Sequence, residues 1–329
     1  MTNPSPSVDL RAPTREGVLR AADKIAALLP QTPVMPLDLP NGDTVWCKVE
    51  SLQPVGAFKI RGAWHRLSDL TEAERAMGVV AVSSGNHAQG VAWAARRLGI
   101  AAKIVMPNDA PAVKLAATRA LGAEVVLYDR PGGEDRDDVA RRLTSESGAT
   151  LVHAYGDPWV IEGQGSCGVE LAAQMECLAG GLPSRVFTPC GGGGLAAGLA
   201  LALPEAEIVP VEPEGWDDVA RSLASGTIQR VATGAPKTAC DALQTPATFP
   251  INFAVMTSRG MQGIAVSEAE VRAAQRYAFS HLRLVIEPGG AAALAAILGG
   301  KVASDGRTAV ILSGGNVDPA AFAAVISEA

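Results

Sequence analysis

Along most of the chain, short apolar runs alternate with stretches whose apolar positions recur every three or four residues. The runs, bounded by Gly, Pro or charge, predict strands at Val79 to Ser83, Ala102 to Met106, Glu124 to Tyr128, Thr150 to Val152, Arg185 to Thr188, Glu207 to Val211 and Thr308 to Leu312. The stretches between them predict helices at Gln89 to Leu98, Ala112 to Leu121, Asp138 to Ser145, Gly165 to Leu178, Ala196 to Leu203, Glu268 to Phe279 and Ala291 to Leu298. Gly99 and Gly122 follow two of these helices, where a left-handed cap is wanted. Strand–helix alternation predicts an α/β architecture with parallel sheets. Four strand–helix units in succession, from Val79 to His153, are expected to form a small sheet of their own. The strand before the glycine run near Cys190 and the final strand are expected in a second, larger sheet, with a ligand cleft between the two lobes.

Composition narrows the class. A chain of 329 residues can bury two cores, and with 48% hydrophobic but only 4% aromatic residues those cores must be built from Ala, Val, Leu and Ile. A net charge of −6 argues against nucleic acid or an anionic membrane as partner, while backbone amides leave a small anion open. The five cysteines, Cys47, Cys167, Cys177, Cys190 and Cys240, are odd in number and form no C-x-x-C, which suits a reducing cytoplasm. Met1 to Leu10 is polar and Pro-rich without the apolar core of a signal peptide, and the apolar stretches are too interrupted to span a membrane. The expectation is a soluble, intracellular protein.

Candidate chemistry lies in four segments. Gly191-Gly192-Gly193-Gly194-Leu195 stands between a strand and a helix, where converging backbone amides and a helix N-terminus make a nest for a phosphate. It is neither a nucleoside-triphosphate loop nor a good dinucleotide fingerprint, for which Glu212 is only a lone acid at the next strand end. Lys59 lies among apolar neighbours, in Ala57-Phe58-Lys59-Ile60-Arg61-Gly62-Ala63; desolvation there makes an amine nucleophilic, the alternative being a lysine that reaches the surface. Ser83-Ser84-Gly85-Asn86-His87-Ala88-Gln89-Gly90 ends a strand and opens a helix, either as a grip for a carboxylate or as an ordinary cap made by Ser84 or Asn86. Ser313-Gly314-Gly315-Asn316 follows the last strand, where a hydroxyl faces the ligand crevice or simply turns the chain.

In this order the four segments resemble the fold-type II pyridoxal-phosphate enzymes, in particular the serine/threonine dehydratase and serine racemase branch, with 3-hydroxyaspartate dehydratases included. Glu134 to Arg136, the I-x-G-Q-G of Ile161 to Gly165, and Glu287-Pro288 also match, so the likeness runs from about Glu16 to Asp318. It implies a two-lobed, tryptophan synthase β-like fold, each lobe a parallel-rich sheet flanked by helices. Residues 1–75 and 156–329 would form the large cofactor-binding domain and 76–155 the small one.

The resemblance also implies roles. Lys59 would hold pyridoxal phosphate as an imine, Phe58 would pack on its ring, Asn86 would bond its phenolic oxygen, and Ser313 would face its ring nitrogen. Gly191, Gly192, Gly193, Gly194 and Leu195 would bind the phosphate. Ser83, Ser84, Gly85, Asn86 and His87 would hold the substrate carboxylate, with Ser84 where racemases place an opposite-face acid/base. Arg136 and Thr245 would face the distal end of the substrate, where a guanidinium suits a second carboxylate. Glu212, the Trp216 carbonyl and Asp218 match a site for Mg²⁺ or another divalent cation, the alternative being a solvated acidic loop. His153 is either a pocket group or a structural histidine.

The expected activity is that of an ammonia-lyase (dehydratase), eliminating water and ammonia from serine, threonine or 3-hydroxyaspartate to leave a keto acid. A serine- or aspartate-type racemase is the alternative on the same site. A homodimer and, with no regulatory module after the catalytic region, a catabolic role complete the expectation. Departures from the family pattern are Ala57 for Ser, Gly289 for Ser or Thr, and a short segment after Asp241 (Ala242 to Pro246), all touching substrate preference. A nicotinamide dehydrogenase lacks its fingerprint here, and a non-catalytic binding protein would not need both Lys59 and the glycine run.

Overall fold

The computed structural model describes residues 11–328 with the exception of Pro111. Met1 to Leu10, read above as lacking a leader, lies outside the described residues. In chain order the strands are β1 (Val34–Asp38), β2 (Thr44–Val49), β3 (Val79–Val82), β4 (Ala102–Pro107) and β5 (Glu124–Tyr128). They continue with β6 (Thr150–Leu151), β7 (Arg185–Pro189), β8 (Glu207–Pro213), β9 (Ile264–Val266) and β10 (Thr308–Leu312). Two sheets result, one of six strands in the order β1-β2-β10-β7-β8-β9 and one of four in the order β5-β4-β3-β6. The smaller sheet is wholly parallel because each strand returns through a helix; in the larger only β1 runs antiparallel to its neighbour.

All seven predicted strands are present, to within two residues at either end. Sequence periodicity missed β1, β2 and β9, and the first two have a physical reason. Pro36 and Asp38 interrupt β1, and β2 carries Lys48, which reads as polar although it is fully buried. Its Nζ donates to Glu170 Oε2, Gln174 Oε1 and the Thr32 carbonyl, each at 2.8 Å.

The long helix Pro158–Leu178 begins seven residues before its predicted start at Gly165, capped by Asp157, whose side chain accepts from the Trp159 and Val160 N–H groups. Gly163 had weakened the helical pattern, and the fold shows why it is there. A Cβ built on it would come within 2.5 Å of the Gly62 Cα, so this helix and the helix Lys59–Ser68 cross backbone to backbone. The small-residue theme recurs in the helix Pro288–Leu298, whose residues Gly289 to Ile297 are all buried against the larger sheet. Few aromatics are needed when Ala and Gly let layers approach closely.

A buried ionic cluster ties these elements together. The Arg61 guanidinium, fully buried, donates to both Glu50 oxygens at 2.7 and 2.8 Å and to both Glu170 oxygens at 2.7 Å. Burial alone would raise the Glu50 carboxyl, but the Arg61 charge overrides it and holds the group down at about 2. The arginine thus joins the end of β2, the helix that starts at Lys59 and the helix Pro158–Leu178. Replacing it leaves Glu50 without an ion-pair partner and Glu170 with Lys48 alone. Arg61→Met is expected to lose about 3–5 kcal/mol in urea unfolding of the protein without cofactor; a loss under about 1 kcal/mol would show that the cluster does not hold the fold.

Candidate active site

Lys59 opens its helix directly after Phe58. The turn presenting it is pinned to the end of β10: Ala57 bridges Gly314, and the Phe58 N–H donates to the Ser313 carbonyl at 3.1 Å. The lysine therefore lies at the carboxyl end of the larger sheet, where α/β folds collect ligands. Its Nζ turns inward, donating to the Ala154 carbonyl at 2.8 Å and lying 5.1 Å from the Phe58 ring centre. Burial lowers the amine to about 8, with Cys190 acting in the opposite direction. The surface-seeking alternative for Lys59 is thereby excluded.

Ser83 to His87 reach the same cleft from the smaller sheet. The helix Asn86–Leu98 has Gly85 at its cap position and no side-chain cap, while Ser83 Oγ accepts from the Gly85 N–H at 3.1 Å. The reading of Ser84 or Asn86 as an ordinary cap is therefore corrected: the first-turn amides are left for an external acceptor. A Cβ built on Gly85 would meet nothing within 4 Å, so the turn is open on that side. His87 Nε2 donates to the Val152 carbonyl at 2.9 Å, and burial, assisted by Lys59, lowers the ring to about 3, so it is neutral.

Asn86 belongs to a polar network. Its Nδ2 donates to Glu287 Oε1 at 2.6 Å, and its Oδ1 accepts from Asn316 Nδ2 at 2.8 Å. Burial raises the Glu287 carboxyl to about 8; Asn86 and Lys114 act against this and Asp241 adds to it. Near neutral pH Glu287 is thus mostly a protonated acid beside the pocket. The sequence offered it only as part of a motif match, because its partner lies 201 residues away.

The glycine run Gly191 to Gly194 leaves β7 and enters the helix Gly194–Ala202, with Gly193 in the left-handed region at φ +88°. A Cβ on Gly192 would sit 2.2 Å from the Tyr155 ring, so no other residue fits there. Among the described residues the N–H groups of Gly191, Gly192 and Gly194 have no protein acceptor. A close-fitting cradle with orphaned amides suits the phosphate expected there. Leu195 follows in the first turn, and Ser313, at the end of β10, is almost wholly buried.

The distal residues are less tightly gathered. Thr245 packs its methyl against Gly191, 3.3 Å from where a Cβ would stand, and its buried hydroxyl has no partner. Arg136, exposed, is the first residue of the helix Arg136–Ser147, 3.8 Å from the Asp137 carboxylate. Its charge reaches His153, which burial, Lys59 and Arg136 together lower to about 4. The His153 ring packs between Tyr155 and Phe249, at 4.6 Å from each, and its Nδ1 accepts from the Gly156 N–H at 2.8 Å. Tyr155 and Phe249, walls of this pocket, belonged to no motif and carried no sequence signal.

Among the expected cation ligands, Glu212 and Asp218 are fully buried, and Asp218 keeps two oxygens without a well-placed donor. Glu212 accepts from the Val219 and Ala220 N–H groups at 3.0 and 2.7 Å, and Trp216 donates its indole N–H to the Pro236 carbonyl at 2.8 Å. Among the described residues no group of three or more His, Cys, Asp or Glu side chains is arranged to hold a metal, so such a site would depend on the Trp216 carbonyl.

Residues 25–314 match the family described as "Pyridoxal-phosphate dependent enzyme". The chain is 41% identical over 317 residues to an L-threo-3-hydroxyaspartate ammonia-lyase of Pseudomonas, covering 94% of this chain and 97% of that protein. It is 37% identical over 330 residues to a serine racemase of Schizosaccharomyces pombe, covering 98% and 100%. Among solved structures, maize serine racemase superposes with a TM-score of 0.87 at 32% identity, covering 95% of this chain and 97% of the other.

The raised Glu287 carboxyl has a consequence for stability. The folded protein keeps a proton that the unfolded chain releases, so the contribution is complete below the ordinary value of 4.5 and is lost as pH rises through about 8. Glu287→Gln, which still accepts from Asn86, is expected to match the parent at pH 4.5 and to exceed it by on the order of 5 kcal/mol at pH 9, in urea unfolding without cofactor. A difference that does not vary with pH would contradict the protonated state.

Proposed function

Because the chain belongs to the pyridoxal-phosphate-dependent enzyme family, we propose that it is an ammonia-lyase that removes water and then ammonia from a small β-hydroxy amino acid, with 3-hydroxyaspartate the leading substrate ahead of serine and threonine. The observation that carries this reading is the inward-facing Lys59 amine, lowered to about 8, at the strand ends beside the glycine loop. Bound pyridoxal phosphate supplies a sink for the electron pair left at the substrate α-carbon. Lys59 is its covalent anchor and, once displaced by the substrate amine, the base at that carbon; with a value of about 8, about a tenth of the amine is unprotonated at pH 7. Phe58 packs on the ring, Asn86 orients the phenolic oxygen, and Gly191 to Leu195 hold the phosphate. Ser313 offers the ring nitrogen a neutral hydroxyl, which tempers the sink and favours expulsion of a β-group over transamination. The amides of Asn86 and His87, with Ser83, Ser84 and Gly85 shaping the turn, hold the substrate carboxylate.

Lys59 takes the α-proton and returns a proton to the β-hydroxyl, which leaves as water as the Cα–Cβ double bond forms; a second water then cleaves the remaining carbon–nitrogen bond to give the oxo acid and ammonia. Two observations support a dicarboxylic substrate. The relative at 41% identity is named for 3-hydroxyaspartate, and Arg136 acts on His153 at the pocket wall, where a second carboxylate would find a guanidinium and the hydroxyl of Thr245. Ser84, half-buried, would add racemisation as a side activity where its hydroxyl faces the α-carbon opposite Lys59, and otherwise only helps to bind the carboxylate.

The same reading assigns the cofactor domain to residues 1–75 and 156–329 and the smaller domain to 76–155, in keeping with the membership of the two sheets. Glu212, the Trp216 carbonyl and Asp218 take a Mg²⁺-like cation, for which the unpaired oxygens of Asp218 speak. The enzyme works as a homodimer in the cytoplasm, a setting that suits five unpaired cysteines.

The deciding experiment incubates the cofactor-loaded enzyme with serine, threonine and the 3-hydroxyaspartate stereoisomers and measures ammonia and oxo acid. Enantiomer formed without oxo acid would replace the lyase by the racemase. Lys59→Ala should lower turnover by about a thousandfold or more; turnover at the parent rate would remove the lysine from the chemistry. Arg136→Ala should reduce kcat/KM for the preferred 3-hydroxyaspartate by about ten- to a hundredfold more than for serine. Equal losses on both substrates would argue against a second-carboxylate site.

A further inference from the structure

The helix Pro250–Ser258 places one fully buried amide, Asn252, against the glycine loop. Its Nδ2 has two hydrogens and two partners, the Gly192 carbonyl at 2.6 Å and the Tyr155 carbonyl at 2.9 Å. Both partners can only accept, so the orientation of the amide is fixed. The Thr248 hydroxyl donates to the same Gly192 carbonyl at 3.1 Å. The Asn252 Oδ1 is left buried without a donor. An unpaired buried acceptor is destabilising, and an apolar side chain of the same size would avoid it, so the residue needs an explanation beyond packing.

The two bonds provide one. The Gly192 carbonyl and the Gly193 N–H belong to one trans peptide and point to opposite sides. Holding the carbonyl against Asn252 and Thr248 sends the Gly193 N–H the other way, toward the Cys190 thiol, and so fixes the peptide that stands between the unpaired Gly192 and Gly194 amides. The second carbonyl, that of Tyr155, follows Ala154, whose own carbonyl accepts from Lys59. A single side chain thus joins the glycine loop to the wall that the lysine touches.

We infer that Asn252 is a positioning residue for the cofactor: it holds the loop peptide that carries the unpaired Gly192 and Gly194 amides on either side and sets their spacing from Lys59. The inference rests on the family's cofactor and is independent of the amino acid that is turned over.

The test uses the enzyme freed of cofactor, titrated separately with pyridoxal phosphate and with pyridoxal, which lacks the phosphate, and followed by absorbance. For Asn252→Leu the dissociation constant of pyridoxal phosphate should rise about tenfold or more, while that of pyridoxal changes less than about twofold. Equal weakening of both, or of neither, overturns the inference. Far-UV circular dichroism establishes whether this variant folds. If it does not, Thr248→Val, which removes one donor to the same carbonyl, decides in its place: a smaller loss confined to pyridoxal phosphate supports the inference, and an unselective loss or none overturns it. Failure of the parent enzyme to bind pyridoxal phosphate at all would overturn both this inference and the proposed function, whereas normal binding without lyase activity would overturn the proposed function alone.

Discussion

A lysine amine drawn out of water loses hydration that a single carbonyl does not replace, and the charged form suffers most. Lys59 is held in that condition by its surroundings. The turn before it is bound to the end of β10, its helix touches the helix Pro158–Leu178 at Gly62 and Gly163, and two residues beyond it Arg61 is clamped between Glu50 and Glu170. None of these contacts reaches the amine itself. They fix the backbone so that the side chain has only the cleft to enter. The reactivity of one nitrogen thus depends on close packing and ion pairing elsewhere.

Buried ionisable groups fall into two sets. Arg61, Glu50, Glu170 and Lys48 are matched with one another in ion pairs. Lys59, His87, His153 and Glu287 have no such partner, and burial shifts each toward its neutral form. The first set lies where elements cross and the second lines the cleft. Paired charges resist movement, whereas groups poised near neutrality can give or take a proton at small cost. Glu212 and Asp218, buried without an ion pair and shifted the same way, lie apart from Lys59, so the lack of a partner marks the expected cation site as well as the cleft.

What the sequence disclosed follows the same division. Segments that perform their task locally were legible: the glycine run, the lysine among apolar neighbours, the strand-to-helix turn at Ser83 to His87, and the strands of the smaller sheet. Residues whose task exists only through distant contacts were not. Lys48 reads as a surface lysine until Glu170 is placed beside it, and Gly163 reads as a helix breaker until Gly62 lies against it. Asn252 stands in an otherwise apolar helix, and its two carbonyl partners lie 60 and 97 residues away. Glu287 is similar, an acid whose neutrality comes from enclosure by segments far apart in the chain that no local window contains.

The place of β10 in the larger sheet bears on how the protein is made. This strand lies between β2 and β7, although the whole smaller sheet and the strands from β7 to β9 are synthesised first. On the ribosome, the smaller sheet can close while translation continues, because its strands are consecutive. The nascent larger sheet meanwhile presents two open edges, at β2 and β7, until Thr308 to Leu312 have emerged and slotted between them. Such edges recruit strands from other chains. Stalled or prematurely released polypeptides of this protein would thus be clients for chaperones that shield bare sheet margins.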